Sequence, residues 1–356
     1  MPAHRLTIVV GAGGVGKTTI AAALGVGAAR AGRHALVMTF DPSLRLKDAL
    51  GVDGAVGDLE ARVPVKAPGT LSASLLDARS TFDRLVDRYA PDQASRDRIL
   101  HNRFYDHLAG NLAGVLEYMA VERLFEAAAD SRYDTIVLDT PPTRQALDFL
   151  GAPERILGFL SSGALRVALK PWFDQDGRLR PTARLGRIGR TAESLLDNLV
   201  GLDLLRDMAE FFQAFGPLYE GFRTRAQEVQ SLLRAPDTSF VLVSGTEPLR
   251  TADTMFFARK LEEAGHRLGH VVVNRVHPRE LGLSPTNQAY DARDGRSLLS
   301  WLGRRDHRVV HELRSLLGNE HPLVEVPLLA EEPTSLSSLA AVAEHLVGSG
   351  RTVDAG

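Results

Sequence analysis

A glycine-rich segment near the amino terminus reads Gly11-Ala-Gly-Gly-Val-Gly-Lys-Thr-Thr19. It follows the apolar run 6–10 and opens the helix-forming run 19–24. In a strand-to-helix turn of this kind, glycines let successive backbone N–H groups point at phosphate oxygens, and the helix amino terminus adds partial positive charge. Residues 11–19 are therefore predicted to form a phosphate loop, the name used for them below. The alternative is a glycine-rich turn without a ligand.

Two side chains of the phosphate loop are expected to contact a nucleotide directly. Lys17 is expected to contact the β- and γ-phosphates, and the Thr18 hydroxyl is expected to be a ligand of Mg²⁺. The rest of the loop is expected to line the nucleotide: Gly11, Ala12, Gly13, Gly14, Val15, Gly16 and Thr19. The motif alone does not distinguish a kinase, a GTPase and an ATPase.

Short apolar runs recur between helix-length segments of the chain. They lie at 6–10, 35–40, 71–76, 135–138, 240–243, 270–273 and 323–326. Continuous, β-branched runs of this length suit parallel strands that are buried on both faces. The pattern predicts an α/β fold with a doubly wound, mainly parallel sheet and helices on both faces.

Two intervals, 78–130 and 151–235, have helical patterns and no convincing strand. We therefore expect one domain over residues 1–356, with a helical subdomain inserted at these two places. The second insert has wide apolar faces at helical spacing, which suit either ordinary core packing or a groove for a hydrophobic segment.

Two aspartates follow predicted strands. Asp41 comes directly after the run 35–40, and Asp139 comes directly after the run 135–138. Ligands of open α/β sheets bind at the carboxyl ends of strands, so both are candidates for the nucleotide site. The alternatives are a helix cap or turn residue for Asp41 and a strand-end cap for Asp139.

These segments resemble a known family. Residues 11–19, 41–50 and 139–143 are similar, in order, to the phosphate loop, first switch and second switch of the anion-transporting ATPases. These P-loop NTPases have a deviant Walker A motif and include the ArsA arsenite-pump ATPases and the GET-pathway factors that target tail-anchored membrane proteins. The similarity continues through Thr246-Glu247-Pro248, Val272-Val-Asn274 and Val326-Pro327.

The resemblance implies ATP and Mg²⁺ as cofactors and a role for several residues. Asp41 would orient or activate the attacking water, and Asp139 would hold the magnesium shell. Asn274 would hydrogen-bond the adenine edge, Pro327 would line the base pocket, and Glu247 would lie by the nucleotide near a dimer face. An asparagine amide offers donors and an acceptor that match a purine edge.

One departure from the family concerns the phosphate loop. The family usually has a second lysine where this chain has Ala12, and that lysine acts across a dimer on the partner's phosphates. Loss of a cation acting in trans can cost on the order of 10³-fold in rate, so slow hydrolysis is expected. The missing charge could be replaced by Arg45 or Arg144, or by a lysine-bearing paralogue in a heterodimer.

The second departure is the absence of cysteine. It excludes thiolate sites for arsenite or zinc, and it is compatible with a cytoplasmic location. The formal net charge of −2 argues against a nucleic-acid partner. No apolar stretch approaches the roughly 20 residues needed to span a bilayer.

The leading hypothesis is a magnesium-dependent ATPase, a homodimer or heterodimer, that uses nucleotide state to move the helical subdomain. Its expected partner is a hydrophobic protein client or a peripheral membrane partner. One alternative is a nucleotide-gated scaffold subunit with weak turnover that pairs with a lysine-bearing paralogue. The other is the ATPase subunit of an anion or metalloid pump, which the absence of cysteine disfavours.

Overall fold

A computed structural model of the chain describes residues 4–40, 45–51, 60–102, 105, 115–141, 143–161, 211, 219–278 and 295–348. The first half of these residues contains five strands and seven helices. They are β1 (Leu6–Gly11), α1 (Lys17–Arg30), β2 (His34–Thr39), α2 (Arg45–Leu50), β3 (Ala61–Val63), β4 (Thr70–Leu75), α3 (Ala78–Tyr89), α4 (Gln93–Leu100), α5 (Val115–Ala129), β5 (Thr135–Asp139), α6 (Thr143–Leu150) and α7 (Ala152–Ser161).

The remaining described residues alternate between helix and strand. They form α8 (Tyr219–Leu233), β6 (Thr238–Ser244), α9 (Pro248–Glu263), β7 (Leu268–Val276), α10 (Gly295–Leu317), β8 (Leu323–Pro327) and α11 (Leu336–Gly348). Each of the seven predicted apolar runs overlaps one of the strands.

The eight strands form one sheet in the order β3-β4-β2-β5-β1-β6-β7-β8. Every pairing is parallel except that of β3 with β4, which is antiparallel and lies at the edge. All residues of β5 and β6 are buried, as expected for strands that are covered on both faces. The predicted mainly parallel α/β fold is confirmed, whereas β3 was not predicted.

The core around β1 is built from small and branched side chains. Ala21, Ala22 and Ala23 of α1 are fully buried, and they share a hydrophobic cluster with Val37 of β2 and Leu346 of α11. Short side chains bring α1 close to the sheet, which fixes the direction of the helix that follows the phosphate loop. Among the described helices, none combines the length and apolarity needed to cross a bilayer.

The chain divides into two compact units. The first comprises residues 1–76, 124–147 and 232–356 and contains the whole sheet. The second comprises residues 77–123 and 148–231, and its described secondary structure is helical. Most of the predicted insert 151–235 lies outside the described residues, so the extent of a helical subdomain stays a prediction.

Candidate nucleotide-binding site

Three neighbouring strands end at the phosphate loop. β5 lies between β1 and β2, and Asp139 at its end is paired in register with Val9 of β1 and Thr39 of β2. The Thr140 hydroxyl donates to the Val9 carbonyl oxygen at 2.8 Å, which ties the end of β5 to β1. Strand pairing in the sheet therefore places Asp139 close to the start of the phosphate loop.

The phosphate loop leads directly into the first turn of α1. Gly16 is the N-cap residue, with φ of 92°, and no side chain caps the helix. The backbone N–H groups of this first turn are therefore the kind of donors that bind anions. The Lys17 side chain is buried and folds back over the loop, where its Nζ donates to the Ala12 carbonyl oxygen at 2.9 Å.

A cluster of oxygen atoms lies at the start of α1. The Thr18 hydroxyl donates to Oδ2 of Asp139 at 2.7 Å, and the Thr39 hydroxyl donates to the same oxygen at 3.1 Å. Asp139 is only 2% exposed. Hydroxyl and carboxylate oxygens are the ligands that Mg²⁺ takes in nucleotide sites, so Thr18 and Asp139 fit a magnesium ion. The described residues contain no group of three or more His, Asp or Glu side chains that could hold a metal, so such an ion would take its remaining ligands from the nucleotide and water.

Asn274 connects the phosphate loop to the other side of the sheet. It lies near the end of β7 and is 6% exposed. Its Nδ2 donates to the Val15 carbonyl oxygen at 2.9 Å, and its Oδ1 accepts the backbone N–H of Arg275 at 3.0 Å. A Cβ on Gly16 would lie 2.2 Å from this Nδ2, so a residue without a side chain is required there.

A pocket lies beside Asn274, at the place where the sequence predicts the base to bind. It is lined by Thr19, Asn274, Arg275 and Pro327, and by the loop that follows β8. Pro327 is the last residue of β8 and is paired in register with Val276 of β7. Asn274, Pro327 and the phosphate loop are thus brought together, and the role of each in binding adenine stays a prediction.

The backbone beyond Arg275 is held by a buried carboxylate on α10. Asp306 is fully buried and accepts the backbone N–H of His277 at 3.0 Å, and it also lies 2.7 Å from Nδ1 of that histidine. Nη2 of Arg305 donates to its other oxygen at 2.8 Å. Desolvation acts to raise the pKa of Asp306, but these hydrogen bonds outweigh it, and the pKa lies below its ordinary value.

Glu247 lies at the exposed amino terminus of α9. It is the N-cap residue of that helix, although its side chain makes no capping hydrogen bond. Its carboxylate is 3.9 Å from the guanidinium of Arg250, whose Nη2 donates to the Gly13 carbonyl oxygen at 3.4 Å. Glu247 is thus near the phosphate loop through Arg250, and its predicted place at a dimer face is untested.

Asp41 lies outside the described residues. Arg45 and Arg144, the two arginines considered as replacements for a lysine at position 12, lie in α2 and α6, and the structure describes only their backbone. The proposed parts of these three side chains in hydrolysis therefore stay predictions.

The model of the anion-transporting ATPase family matches residues 4–348. The chain belongs to the anion-transporting ATPase family. The resemblance stated from the three sequence motifs is confirmed, and the chain is a P-loop ATPase.

Relatives of this ATPase include bacterial and fungal proteins. A protein of Aquifex aeolicus, named as a candidate arsenical pump-driving ATPase 1, is 26% identical over 97% of this chain and 79% of its own length. ATPase GET3 of Malassezia globosa is 27% identical over 95% of this chain and 89% of its own length. ATPase get3 of Schizosaccharomyces pombe is 26% identical over 95% of this chain and 89% of its own length. The matches extend over nearly the whole chain.

Three residues at the site of this ATPase were not predicted from the sequence. Thr39 could have been suspected because it lies near the end of the apolar run 35–40, two positions before Asp41. Arg250 and Arg275 gave no sequence signal of their own, although each follows a segment that was singled out, at Glu247 and at Asn274. Their positions depend on contacts between distant parts of the chain.

Proposed function

We propose that the chain is a magnesium-dependent switch that binds and hydrolyses ATP and uses nucleotide state to move a helical, client-handling subdomain. The observation that carries the proposal is the hydrogen bond of 2.7 Å between the Thr18 hydroxyl and the Asp139 carboxylate. It joins the first turn of an uncapped helix to the end of the neighbouring strand. Phosphate-binding N–H groups and a magnesium-binding oxygen cluster therefore lie side by side.

The residues of the site have complementary tasks in this proposal. The first turn of α1 and Lys17 would bind the phosphate chain, because both supply positive charge to it. Thr18 and Asp139 would hold Mg²⁺, which neutralises charge on the β- and γ-phosphates. Asp41 would position the attacking water, and Asn274 would orient the base.

The wider proposal concerns the assembly and its place in the cell. We infer a homodimer or a heterodimer with a paralogue, a single domain over residues 1–356 with helical insertions, and a cytoplasmic location. The client would be a hydrophobic protein segment or a peripheral membrane partner. The support is membership of an ATPase family together with the helical composition of the second unit. Gel filtration with light scattering, with and without nucleotide, measures the assembly directly.

The magnesium site is tested by Asp139→Asn. Wild-type protein should bind ATP more tightly when Mg²⁺ is present. In Mg²⁺ the variant should bind ATP about 10- to 100-fold more weakly than wild type, which is the usual loss when residues that form or orient a metal site are changed. The two proteins should bind ATP equally in EDTA. Calorimetric titration measures all four affinities.

A matched control exists at the other end of the same region of chain. Asp134 is exposed and accepts the His34 N–H at 2.8 Å. It directly precedes β5, at the opposite end of that strand from Asp139 and the phosphate loop. Asp134→Asn should retain the magnesium dependence of the wild type. If Asp139→Asn retains it too, the magnesium assignment is wrong.

A second function is favoured by one residue. Ala12 supplies no charge to the phosphate loop, so a nucleotide-gated scaffold that turns over slowly and pairs with a lysine-bearing paralogue is the competing proposal. Single-turnover hydrolysis by the purified chain separates the two. Hydrolysis of the bound ATP at an ordinary ATPase rate of about 1 s⁻¹ or above supports the switch ATPase, and tight binding with much slower hydrolysis supports the scaffold.

A further inference from the structure

Two arginine side chains on separate elements contact the exposed residues Gly13 and Gly14 of the phosphate loop. Nη2 of Arg250, on α9, donates to the Gly13 carbonyl oxygen at 3.4 Å, and Nη1 of Arg275, on β7, donates to the Gly14 carbonyl oxygen at 3.5 Å. We call Arg250 and Arg275 the rim arginines. They place two permanent positive charges beside a loop whose own cation, Lys17, is buried.

Arg250 is held only weakly in its present position. The carboxylates of Glu247 and Asp253 lie 3.9 and 3.7 Å from its guanidinium, which is beyond ordinary hydrogen-bond distance. Its bond to Gly13 is long, and it shares a small pocket with Ala12 and Val15. The guanidinium is therefore next to the uncharged position of the loop and has no strong bond to break.

Arg275 is held in an unusual backbone conformation. Its φ is 61°, the only positive value at a non-glycine residue in the described chain. Such residues persist where the surroundings fix them, and they cluster at functional sites. Here the Asn274 side chain accepts the Arg275 N–H, and the buried Asp306 accepts the N–H of His277. The backbone is thus tied on both sides of Arg275, close to the phosphate loop.

The bonds that the rim arginines now make are poor matches for a guanidinium. Backbone carbonyls are neutral, and distances of 3.4 and 3.5 Å are at the upper limit for hydrogen bonds. A phosphate offers charged oxygens, two of which can accept the parallel N–H bonds that the planar guanidinium donates. The exchange of a long bond to a carbonyl for a charge-assisted bond to phosphate is therefore favourable.

We propose that the rim arginines leave the loop carbonyls and bind the terminal phosphate of a nucleoside triphosphate, so that they distinguish a triphosphate from a diphosphate. The proposal rests on the proposed nucleotide function and adds residues that recognise the γ-phosphate. Lys17 and the first turn of α1 bind both nucleotides, whereas the rim arginines respond to the group that hydrolysis removes. They also supply positive charge beside Ala12.

The test measures the affinities of ATPγS and ADP for wild-type protein and for Arg250→Gln and Arg275→Gln, in Mg²⁺, by calorimetry. Each substitution should weaken ATPγS binding roughly tenfold, as expected for one charge-assisted hydrogen bond, and should change ADP binding by less than about twofold. Arg250→Lys should recover part of the preference for ATPγS, because it restores the charge without the fork.

Two arginines of the same elements serve as controls. Arg259 is exposed on α9, nine residues beyond Arg250 and about 13 Å further along the helix. Arg267 directly precedes β7 and donates to the Pro236 carbonyl oxygen at 3.2 Å. Arg259→Gln and Arg267→Gln should bind both nucleotides as the wild type does. If Arg275→Gln melts at a lower temperature than wild type, Arg275→Asn replaces it, since asparagine tolerates positive φ.

The outcomes separate this inference from the proposed function. If wild-type protein binds neither nucleotide, the proposed function fails and the inference fails with it. If wild-type protein prefers ATPγS and the rim variants keep that preference, the inference alone is wrong. An equal loss of ATPγS and ADP binding would also overturn it, because the rim arginines would then only stabilise the loop.

Discussion

Asn274 uses its buried amide for two hydrogen bonds within the protein, which limits what it could offer to the adenine of the proposed function. One N–H goes to the Val15 carbonyl, and the carbonyl oxygen accepts the N–H of Arg275. An asparagine amide has two N–H donors and two lone pairs, so one of each is left for a purine edge. The same side chain therefore holds the phosphate loop, and its two internal hydrogen bonds fix the orientation of its amide.

Gly16→Ala is expected to destabilise the protein more than Gly14→Ala. Both glycines have positive φ, 92° and 81°, which costs any residue with a Cβ about 1–2 kcal/mol. A Cβ on Gly16 would also lie 2.2 Å from Asn274, whereas a Cβ on Gly14 meets nothing within 4 Å. The clash should add about 1–3 kcal/mol, which urea unfolding measures.

Adding Asn274→Ala to Gly16→Ala isolates the clash. If contact with Asn274 is the cause, the double variant should lose clearly less stability than the sum of the two single variants, because neighbouring sites are not additive. Additive losses, or equal losses for Gly14→Ala and Gly16→Ala, would show that no such clash occurs.

The sequence predicted the residues at the site that belong to motifs or to strand ends. Lys17 and Thr18 followed from spacing, and Asp139 followed from the rule that ligands lie at the carboxyl ends of parallel strands. The contact of Asn274 with Val15 joins residues 259 positions apart, and that of Arg275 with Gly14 joins residues 261 positions apart. Contacts of this range depend on the order of strands in the sheet, which periodicity does not give.

At the scale of elements, strand length decided what could be predicted. The runs that became β1, β5 and β6 are buried and rich in branched residues, so their hydrophobicity alone indicated strands. β3 has three residues, of which only Val63 is buried, and it pairs antiparallel at the edge of the sheet. Such a short segment has too few positions for an alternating pattern to be recognised.

The end of β7 depends on an element that is distant in sequence. α10 supplies Asp306, which holds the backbone at His277 and thereby the conformation of Arg275. Because hydrogen bonds lower the pKa of Asp306 in the folded protein, its contribution to stability is complete above the unfolded value of 3.8 and is lost as pH falls through the folded pKa.

Asp306→Asn should therefore destabilise the protein at neutral pH and much less in acid. At pH 7 we expect a loss of about 1–3 kcal/mol, because a buried charged acceptor becomes a neutral amide. At acid pH, below 3.8, the loss should shrink as the pH falls through the folded pKa and the wild-type carboxylate is protonated. Urea unfolding at both pH values measures the two differences.

Glu344→Gln is the control for this pH dependence. Glu344 is exposed and pairs with Arg30 at 3.0 Å, and surface pairs of this kind contribute about 0–1 kcal/mol. A loss for Asp306→Asn that is as large in acid as at neutral pH would show that the carboxylate charge does not stabilise the end of β7.

At the scale of the whole molecule, the helical unit has an interior of its own. The Phe82 ring lies 5.1 Å from that of Tyr105 and 6.0 Å from that of Phe222, between ring centroids. Glu122 is fully buried and accepts a hydrogen bond from Arg225 at 2.6 Å. A buried ion pair constrains how helices pack, because leaving either charge without the other costs several kcal/mol, about 3–5. The unit therefore has a packed interior of its own, which does not depend on the sheet.

Three of the boundaries between the two units fall inside helices, namely α5, α6 and α8. α6 begins at Thr143, four positions after Asp139, and residues from 148 onwards belong to the helical unit. The chain thus runs from Asp139 into the helical unit within nine residues.

This short connection predicts that nucleotide state is detected in the helical unit. Hydrogen exchange of residues 143–161 should be slower with ATPγS and Mg²⁺ than with ADP, because a triphosphate that orders the end of β5 restricts the first turns of α6. Lys17→Ala is the control: it should weaken nucleotide binding and remove the difference while the exchange of β1, β5 and β6 stays protected. Identical exchange of residues 143–161 in both nucleotide states, measured at saturating ligand, would mean that α6 does not couple the site to the helical unit.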